Sequence, residues 1–335
     1  MTTLPHDAII LGSGNQSLIY SPQVRSELDS LCQVTVEHCT ATQIPDHAAA
    51  LAGVRFLFSS WGAPRLDAAT LAFFPKLEAV FYGAGSIKGV ATDDFWARDI
   101  PICSAWAANA VPVAEFTFAQ IILALKQVLQ MPAHMRAARA SVRPEHFVAG
   151  GAFGTTVGLV SLGQIGRRVA QMLRQLDVKV LVYDPFCSAA DAASLGVTLV
   201  SLPELFARSR VVSLHAPSLP ETRGMITGEL LASIPPGGSF INTARGAIVR
   251  EDEMIAVLRS RPDLSAILDV VDPEPAVPES PFYDLPNVFL TPHVAGSSGG
   301  ECARMGLYMV QECRRYLSGQ PLLWNVTRQA FARMA

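Results

Sequence analysis

The 335-residue sequence lacks the features that mark several classes of protein. Its 26 Lys and Arg residues stand against 29 Asp and Glu, a formal net charge of −3, and they form no basic run. This argues against a nucleic-acid partner. The six cysteines are scattered and include no C-x-x-C pair, which favours free thiols in a reducing compartment over a disulfide framework or a zinc site. We therefore expect no metal.

Segments typical of secretion or membrane insertion are also lacking. The start, "MTTLPHDAIILGSG", has neither the basic residues nor the long apolar stretch of a signal peptide. The most apolar helix-length segment, residues 116–129, contains Gln120 and Lys126 and is short for a bilayer span of about 20 residues. A hydrophobic share of 50% is enough for large cores. We expect a cytoplasmic protein of two domains, without a membrane partner.

Apolar strand-like runs alternate with helical patterns along the chain, which predicts the α/β class with parallel sheets. In the first hundred residues the predicted strands cover 8–13, 33–38, 55–60 and 78–83, and the predicted helices cover 22–31 and 70–77. A long apolar helix is predicted from near Asn109 to beyond Lys126. The stretch 131–154 is expected to be irregular, because its periodicity is weak.

A second α/β array begins at residue 156. Its predicted strands cover 156–161, 178–183, 211–214, 239–242, 265–269 and 287–291. Its predicted helices cover 164–175 and 251–259, and a further helix is expected within 300–319. This alternation indicates a doubly wound parallel sheet.

The second array opens with a turn that resembles a dinucleotide-binding loop. The G-x-G-x-x-G fingerprint reads Ser161-Leu162-Gly163-Gln164-Ile165-Gly166. The second glycine lets the backbone approach a pyrophosphate, and the third lets helix and strand pack closely; Gly163 and Gly166 hold these places. Ser161 weakens the signature, but a small residue can make the turn if its φ is negative. By itself such a motif is more often an ordinary surface turn.

An aspartate stands where such a loop needs one. Asp184 follows the run "VKVLVY", 18 residues after Gly166, and a carboxylate at about 20 residues hydrogen-bonds the adenosine ribose. This carboxylate would repel a 2′-phosphate, and no arginine follows it, so NAD is expected rather than NADP. The alternative is an aspartate that only starts a turn before Pro185.

Three polar residues follow three later strands: Arg245 in "INTARGAIV", Glu274 in "LDVVDPEP" and His293 in "LTPHVAG". Because ligands of open parallel sheets bind beyond the carboxyl ends of the strands, the three should converge on one crevice. Singly, each has an ordinary explanation as an ion-paired arginine, a loop carboxylate or a structural histidine. Together, after the strands of one nucleotide domain, they make an acid–base pair with an anion clamp.

These motifs, in this order, resemble the D-isomer-specific 2-hydroxyacid dehydrogenases, a family that includes short phosphoglycerate dehydrogenases and glyoxylate/hydroxypyruvate reductases. Residues 83–296 carry the resemblance through "ANAVPVAEF", "SLGQIGR", "LHAPSLPETRGMI" and the three motifs above. The resemblance implies an NAD-dependent oxidoreductase that interconverts a D-2-hydroxy acid and a 2-oxo acid by hydride transfer. It also implies that Arg245 clamps the substrate, that His293 is the general acid/base, and that Glu274 is its partner.

The resemblance further implies the domain organisation and the cofactor contacts. Residues 1–105 and 297–335 would form a discontinuous flavodoxin-like substrate-binding domain, and residues 106–296 a Rossmann-type NAD-binding domain. The implied cofactor contacts are Val113, Gly163, Gln164, Ile165, Gly166, Asp184, Pro185, His215, Ala216, Pro217, Thr222, Thr243, Ala244, Arg245, Asp269, His293 and Gly296. Gln164 and Ile165 would lie at the pyrophosphate. His215, Pro217 and Thr222 would lie beside the adenine half, and Thr243, Ala244 and Asp269 near the nicotinamide half.

The chain departs from the family in the loop that binds the substrate carboxylate through backbone N–H groups. Relatives usually read G-V-G-x-D there, whereas this chain has Gly83-Ala84-Gly85-Ser86-Ile87-Lys88, with Ile87 in place of the aspartate. The expected substrate contacts are Trp61, Ala84, Gly85, Ser86, Arg245 and His293. Ser59, Ser60 and Gly62 would form a wall with Trp61, although Trp61 is equally typical of a domain core.

The resemblance and the apolar helix near residues 110–129 together predict a C2 homodimer through the segment 110–151. The helix has apolar residues on more faces than a solvated helix needs. The alternative is a helix packed between the two domains of one chain.

Other functions stay open. One is an NAD-sensing binding protein similar to the C-terminal-binding corepressors, and another is a phosphite-type dehydrogenase. Formate dehydrogenases carry glutamine where Glu274 stands, which disfavours formate. Since the sequence ends at Ala335 without a further domain, we do not expect the long, serine-controlled type of phosphoglycerate dehydrogenase.

Overall fold

The computed structural model describes residues 7–12, 16–139 and 151–334. The chain forms two compact units, residues 1–110 with 297–335 and residues 111–296. The chain thus passes from the first unit to the second after Ala110, five residues later than the sequence suggests. It returns to the first unit between Gly296 and Ser297. Both units have α/β architecture with parallel sheets, which confirms the predicted class.

The first unit contains a five-stranded parallel sheet. Its strands are β1 (Asp7–Leu11), β2 (Gln33–Cys39), β3 (Phe56–Ser59), β4 (Ala79–Tyr82) and β5 (Ile102–Ser104). Their spatial order, β2-β1-β3-β4-β5, is the flavodoxin-like order. Every residue of β3 and β4 is buried, because layers cover both faces of a parallel sheet, and this explains the continuous apolar runs.

Short helices connect these strands: α1 (Gln16–Ile19), α2 (Pro22–Asp29), α3 (Ala48–Leu51), α4 (Ala68–Leu71) and α5 (Asp93–Trp96). The predicted helix over 70–77 is therefore wrong in extent, since α4 ends at Leu71. Pro75 cannot donate the backbone hydrogen bond that a continuing helix would need.

A 20-residue helix, α6 (Trp106–Leu125), continues from the first unit into the second, and α7 (Met131–Ala138) follows it. The prediction of an irregular stretch from residue 131 is therefore wrong at its start. Pro132 lies in the first turn of α7, where a missing N–H costs nothing. Residues 140–150, which belong to the predicted dimer segment, lie outside the described residues.

Helix α6 begins ten residues before the apolar segment 116–129, and it is long and apolar enough to cross a membrane by length and composition alone. Half of its most apolar window is buried inside the structure. The core helix of a folded domain meets the same criterion, and the finding is weak evidence for a membrane span.

The second unit contains a seven-stranded parallel sheet. Its strands are β6 (Thr156–Val160), β7 (Lys179–Tyr183), β8 (Thr198–Leu199), β9 (Val211–Leu214), β10 (Ser239–Asn242), β11 (Ser265–Leu268) and β12 (Val288–Leu290). The helices between them are α8 (Gln164–Leu173), α9 (Ala189–Leu195), α10 (Leu202–Arg208), α11 (Gly228–Ala232) and α12 (Glu251–Ser260).

The order β12-β11-β10-β9-β6-β7-β8 makes this sheet doubly wound, as predicted. The connections run in opposite directions from β6 and from β9, which are neighbours in the sheet. This is the topological switch point, where open α/β sheets bind their ligands.

After the second unit the chain returns to the first through α13 (Cys302–Leu317) and α14 (Arg328–Ala332). Met305 and Met309 of α13 are fully buried against the strand residues Phe56 and Phe58. Gly306 lets α13 approach the C-terminal end of α1, because a Cβ at residue 306 would lie 2.1 Å from the carbonyl oxygen of Ile19. The C-terminal segment therefore completes the core of the first unit.

Candidate active site

The turn between β6 and α8 begins at Ser161, whose φ is +80°. The expectation of a negative φ is therefore wrong, and the first motif position adopts the left-handed conformation that glycine tolerates best. The Ser161 N–H donates to the carbonyl oxygen of Tyr183 at 2.8 Å. A Cβ on Gly166 would lie 2.1 Å from the Ser161 carbonyl oxygen. Close packing of α8 on the turn therefore requires Gly166, as the motif predicts.

Two observations beside this turn fit a bound dinucleotide. A Cβ on Gly163 would meet no atom of the described residues within 4 Å, so the protein's own packing does not require glycine there. His215, after β9, is 9% exposed, and burial lowers its pKa to about 3. Within the described chain neither ring nitrogen of His215 has a hydrogen-bond partner. Buried polar groups are normally paired, so this neutral imidazole suits a polar ligand at the turn.

Asp184 lies directly against the glycine turn. Its Oδ2 accepts the Leu162 N–H at 2.7 Å and the Ser161 hydroxyl at 3.3 Å. Its Oδ1 accepts the N–H of Phe186 at 2.7 Å. The carboxylate thus connects the end of β7 to the turn after β6, in addition to the local turn at Pro185.

The remaining candidate cofactor residues occupy the same unit. Four of them are buried: Val113, Ala216, Thr243 and Ala244. Four are half-buried: Ile165, Pro217, Thr222 and Gly296. The two exposed residues are Gln164 and Pro185. The Thr243 hydroxyl lies 3.0 Å from that of Thr117 in α6. The Thr222 hydroxyl donates to the Pro217 carbonyl oxygen at 2.6 Å and accepts the Leu219 N–H at 2.8 Å. The side chain of Thr222 therefore closes the turn after β9.

The loops after β10, β11 and β12 bring Arg245, Glu274 and His293 together. His293 Nδ1 lies 2.5 Å from Glu274 Oε1. Burial lowers the pKa of Arg245, and the nearby charge of Glu274 opposes this shift. The side chains of His293 and Glu274 stay 45% and 38% exposed. An arginine, a carboxylate and a histidine accessible to a small molecule thus share one edge of the sheet.

Asp269, at the end of β11, holds the loop that carries His293. Its Oδ1 accepts the Thr291 hydroxyl at 2.6 Å and the Val294 N–H at 2.8 Å, and its Oδ2 accepts the Ala295 N–H at 2.9 Å. The His293 N–H donates to the Asp269 carbonyl oxygen at 3.0 Å. His293 has a φ of +54°, so these bonds stabilise an uncommon backbone conformation. Sequence reasoning did not predict this positioning role of Asp269.

Two residues that sequence reasoning missed position Arg245. Asn242, at the end of β10, donates from Nδ2 to the Arg245 carbonyl oxygen at 3.1 Å and accepts the Ala244 N–H at 2.9 Å. Gly246 permits the close approach of the loop after β11, because a Cβ there would lie 2.0 Å from the carbonyl carbon of Val271. Both stand inside the motif "INTARGAIV", but only their contacts reveal the roles.

Glu251, the first residue of α12, holds the loop that leads to Glu274. Its Oε1 accepts the Asp272 N–H at 2.8 Å. Burial raises its pKa from the ordinary 4.5 to about 7, against the lowering effect of that hydrogen bond. Because the folded-state pKa is raised, the stabilising contribution of Glu251 is fully present below the unfolded pKa of 4.5 and is lost as pH rises through 7.

We therefore expect Glu251→Gln, which keeps the acceptor oxygen but does not titrate, to weaken the pH dependence of stability. Between about pH 5 and about pH 8 the Tm of the wild-type protein should fall more than the Tm of the variant. Thermal melts of both proteins across this range measure the difference. Parallel Tm curves would show that Glu251 titrates alike in the folded and unfolded states.

The loop Gly83–Lys88 follows β4 in the first unit. The Ser104 hydroxyl, which is fully buried, shares its proton between the carbonyl oxygens of Ala84, at 3.0 Å, and Gly85. In a trans peptide the next N–H points opposite to the carbonyl. The N–H groups of Gly85 and Ser86 therefore point away from Ser104.

The other predicted residues of this unit differ in how far they are buried. Ile87 is fully buried in the hydrophobic core, so it does not take the place of a loop carboxylate. Ser59 and Ser60 are also buried. Trp61 is half-buried and packs against both hydrophobic clusters of the unit, as a core aromatic does.

Within the described residues, no group of three or more His, Cys, Asp or Glu side chains is arranged to hold a metal ion.

Known proteins are similar to this chain in sequence and in fold. The family described as "D-isomer specific 2-hydroxyacid dehydrogenase, NAD binding domain" matches residues 118–295. The D-3-phosphoglycerate dehydrogenase of Mycobacterium leprae is 35% identical over 258 residues, which cover 77% of this chain and 48% of that protein. The chain thus spans about half the length of that relative.

Two further proteins match over most of their length. The (S)-sulfolactate dehydrogenase of Chromohalobacter salexigens is 35% identical over 299 residues, which cover 87% of this chain and 94% of that protein. A crystal structure of an NAD-complexed D-isomer specific 2-hydroxyacid dehydrogenase from Lactobacillus delbrueckii ssp. bulgaricus superposes with a TM-score of 0.78. The superposition covers 96% of this chain and 100% of that chain, at 19% sequence identity. At this level of identity the similarity shows the fold alone.

Proposed function

This chain belongs to the D-isomer-specific 2-hydroxyacid dehydrogenases, which are NAD-dependent oxidoreductases, and we propose that it interconverts a small D-2-hydroxy acid and the corresponding 2-oxo acid. The observation that carries the proposal is the 2.5 Å contact between His293 Nδ1 and Glu274 Oε1. Arg245 lies close enough for an electrostatic interaction with the same carboxylate. When bound, the coenzyme would supply hydride transfer: NADH would give a hydride to C2 of the oxo acid, and NAD+ would accept one from C2 of the hydroxy acid.

His293 would move the proton that accompanies the hydride. Because Nδ1 is bonded to the Glu274 carboxylate, the Nδ1 proton stays there and Nε2 is the nitrogen free to act on the substrate. An imidazolium gives its Nε2 proton to the carbonyl oxygen during reduction, and a neutral imidazole takes the hydroxyl proton during oxidation. Glu274 stabilises the charged ring and fixes its tautomer.

Arg245 would bind the substrate carboxylate. One of its N–H groups donates from Nη1 to the Ala244 carbonyl oxygen at 2.6 Å, which fixes the plane of the guanidinium. The remaining donors can make a two-point contact with a carboxylate and polarise the adjacent carbonyl oxygen. Its burial strengthens such charge-assisted bonds, because the local dielectric constant is low.

The loop Gly83–Lys88 of the first unit is proposed to offer backbone N–H donors to a substrate carboxylate. The support is the orientation of the Gly85 and Ser86 N–H groups, which Ser104 stabilises through the two preceding carbonyl oxygens. Ala84 and Trp61 would complete the substrate contacts.

We expect Ser104→Ala to raise the KM for the oxo acid about 3- to 10-fold, since one hydrogen bond contributes about 0.5–1.5 kcal/mol. The Kd for NADH should not change, because the loop lies in the other unit from the coenzyme residues. Steady-state kinetics and a fluorescence titration of NADH measure the two quantities. An unchanged KM would show that Ser104 has no role in substrate binding. Ser30→Ala is the control: it removes another serine hydroxyl, at the exposed end of α2, and should leave the KM unchanged.

Asp184 is proposed to bind the adenosine ribose and to favour NAD over NADP, because its negative charge would repel a 2′-phosphate. Gly163, Gln164, Ile165 and His215 would surround the rest of the dinucleotide. Dissociation constants for NADH and NADPH test the preference, and equal values would contradict it.

A substrate panel tests the activity as a whole. Glyoxylate, hydroxypyruvate, pyruvate and 3-sulfopyruvate are offered with NADH and with NADPH, the last acid because one relative is named a sulfolactate dehydrogenase. We expect turnover of at least one 2-oxo acid with NADH. Tight NADH binding without turnover would instead indicate an NAD-sensing protein, and NADH formation from phosphite would indicate a phosphite dehydrogenase.

We also propose a cytoplasmic C2 homodimer through the segment 110–151. Within this segment Met135 is 47% exposed, and Phe116 and Ile122 of α6 are only half-buried. Phe153, two residues beyond the segment, is 85% exposed. Apolar side chains at this density favour burial against a second copy, over an interface of roughly 2,000 Å² or more. Light scattering should give a mass near twice 35.9 kDa. A mass equal to that of one chain would contradict the dimer.

A further inference from the structure

Ser161 is an exception in its own motif. Its backbone has a φ of +80°, a conformation that L-residues rarely adopt and that glycine adopts freely. A serine there is less favourable for the backbone than glycine would be. The side chain is what distinguishes serine from glycine at this position.

The Ser161 hydroxyl contacts the Asp184 carboxylate, at 3.3 Å from Oδ2. A carboxylate oxygen has about two lone-pair sites. Oδ2 uses both, for the Ser161 hydroxyl and the Leu162 N–H, whereas Oδ1 uses one for the Phe186 N–H. The remaining site therefore lies on Oδ1, and the bonds at Oδ2 fix the direction in which it points.

We propose that Ser161 is a positioning residue for the coenzyme: its hydroxyl holds the Asp184 carboxylate so that Oδ1 meets a ribose hydroxyl of NAD. The protein accepts a less favourable backbone at Ser161 and gains a preorganised acceptor, because a fixed acceptor loses less freedom on binding. This inference rests on the proposed role of Asp184 in ribose binding. It goes beyond that role by assigning a function to the residue that departs from the glycine motif.

Two substitutions separate the backbone from the hydroxyl. Ser161→Gly removes both the unfavourable backbone conformation and the hydroxyl, whereas Ser161→Ala removes the hydroxyl alone. We expect both variants to raise the Kd and the KM for NADH about 3- to 10-fold, because each loses one hydrogen bond to a charged group. The effect should be modest, since the 3.3 Å distance from the Ser161 hydroxyl to Asp184 Oδ2 is long for a hydrogen bond. kcat should stay unchanged, because Ser161 acts at the ribose and not at the reacting carbon.

Stability should move differently in the two variants. Without coenzyme, the Tm of Ser161→Gly should equal or exceed that of the wild-type protein, and the Tm of Ser161→Ala should be lower than that of Ser161→Gly. Weaker binding together with undiminished stability is a result that a merely structural role would not produce. A wild-type Kd for NADH in Ser161→Gly would overturn the proposal.

A double-mutant cycle tests whether the effect passes through Asp184. In the Asp184→Ala background, Ser161→Gly should leave the Kd for NADH unchanged, and an equal loss in both backgrounds would overturn the inference. If Asp184→Ala alone binds NADH as the wild-type protein does, the ribose role of Asp184 in the proposed function fails instead.

Ser188→Ala is a matched control. It removes another hydroxyl from the same region, the one that caps α9 and lies 2.9 Å from Asp191 Oδ2. It should lower the Tm and leave the Kd for NADH unchanged.

Discussion

His293→Asn is expected to lower kcat by about 10²- to 10⁴-fold, the usual contribution of general acid–base catalysis. The amide cannot release or accept a proton at the substrate oxygen. Asparagine is chosen because His293 has a φ of +54°, a conformation that asparagine tolerates better than other residues. The Kd for NADH should stay near the wild-type value, since the histidine serves the proton transfer. Steady-state kinetics and NADH titration of the purified variant measure both quantities.

A matched pair of substitutions on one loop examines the partner of His293. Glu274→Gln should lower kcat because a neutral amide no longer stabilises the imidazolium. Glu279→Gln, an exposed residue on the same loop, should have no effect. A His293→Asn variant that keeps wild-type kcat would exclude the histidine as the acid. Equal losses in the two glutamine variants would show that the loop, and not Glu274, carries the effect.

Arg245→Lys is expected to lower kcat/KM for the oxo acid by about 10- to 150-fold, through the loss of one charge-assisted hydrogen bond. Two charge-assisted hydrogen bonds to a carboxylate contribute about 1.5–3 kcal/mol each, and the compact ammonium of lysine cannot make both in the geometry of a planar guanidinium. Most of the loss should appear in KM, because the clamp acts on bound substrate before and during the reaction.

Arg223→Lys is the control for this substitution. Arg223 is 71% exposed and lies 3.4 Å from Asp272, on the loop that leads to Glu274. An exposed ion pair contributes little, so this variant should keep wild-type kinetics. If Arg245→Lys also keeps its KM, the substrate carboxylate is bound elsewhere.

The strands of the second unit could be predicted because their surroundings are uniform. A parallel strand covered on both faces appears as an unbroken apolar run, and β9 and β10 have the bounds that the runs predict. The two-residue strand β8 was missed because so short a run is not periodic. Helices α9, α10 and α11 were missed as well; each has only five to seven residues and begins after a serine or threonine that caps its first turn.

The convergence of the three candidate site residues was also predictable, because parallel strands all end at the same edge of a sheet. A polar residue after β10, another after β11 and a third after β12 must therefore be near one another. The structure brings Arg245, Glu274 and His293 together for this reason. The alternative interpretations of each residue alone could not be separated without that topology.

The amino-acid sequence by itself determined the family, the α/β class, the order of the motifs and the residue types available for catalysis. These depend on local periodicity and on which side chains follow which strand. Only the tertiary structure decided that Ser161 has a positive φ, that Asp269 holds the His293 loop and that Ser104 orients the loop after β4. Each of these facts depends on a contact between residues about 20 or more positions apart. Such contacts follow from the way loops pack against one another, which no local pattern of residues specifies.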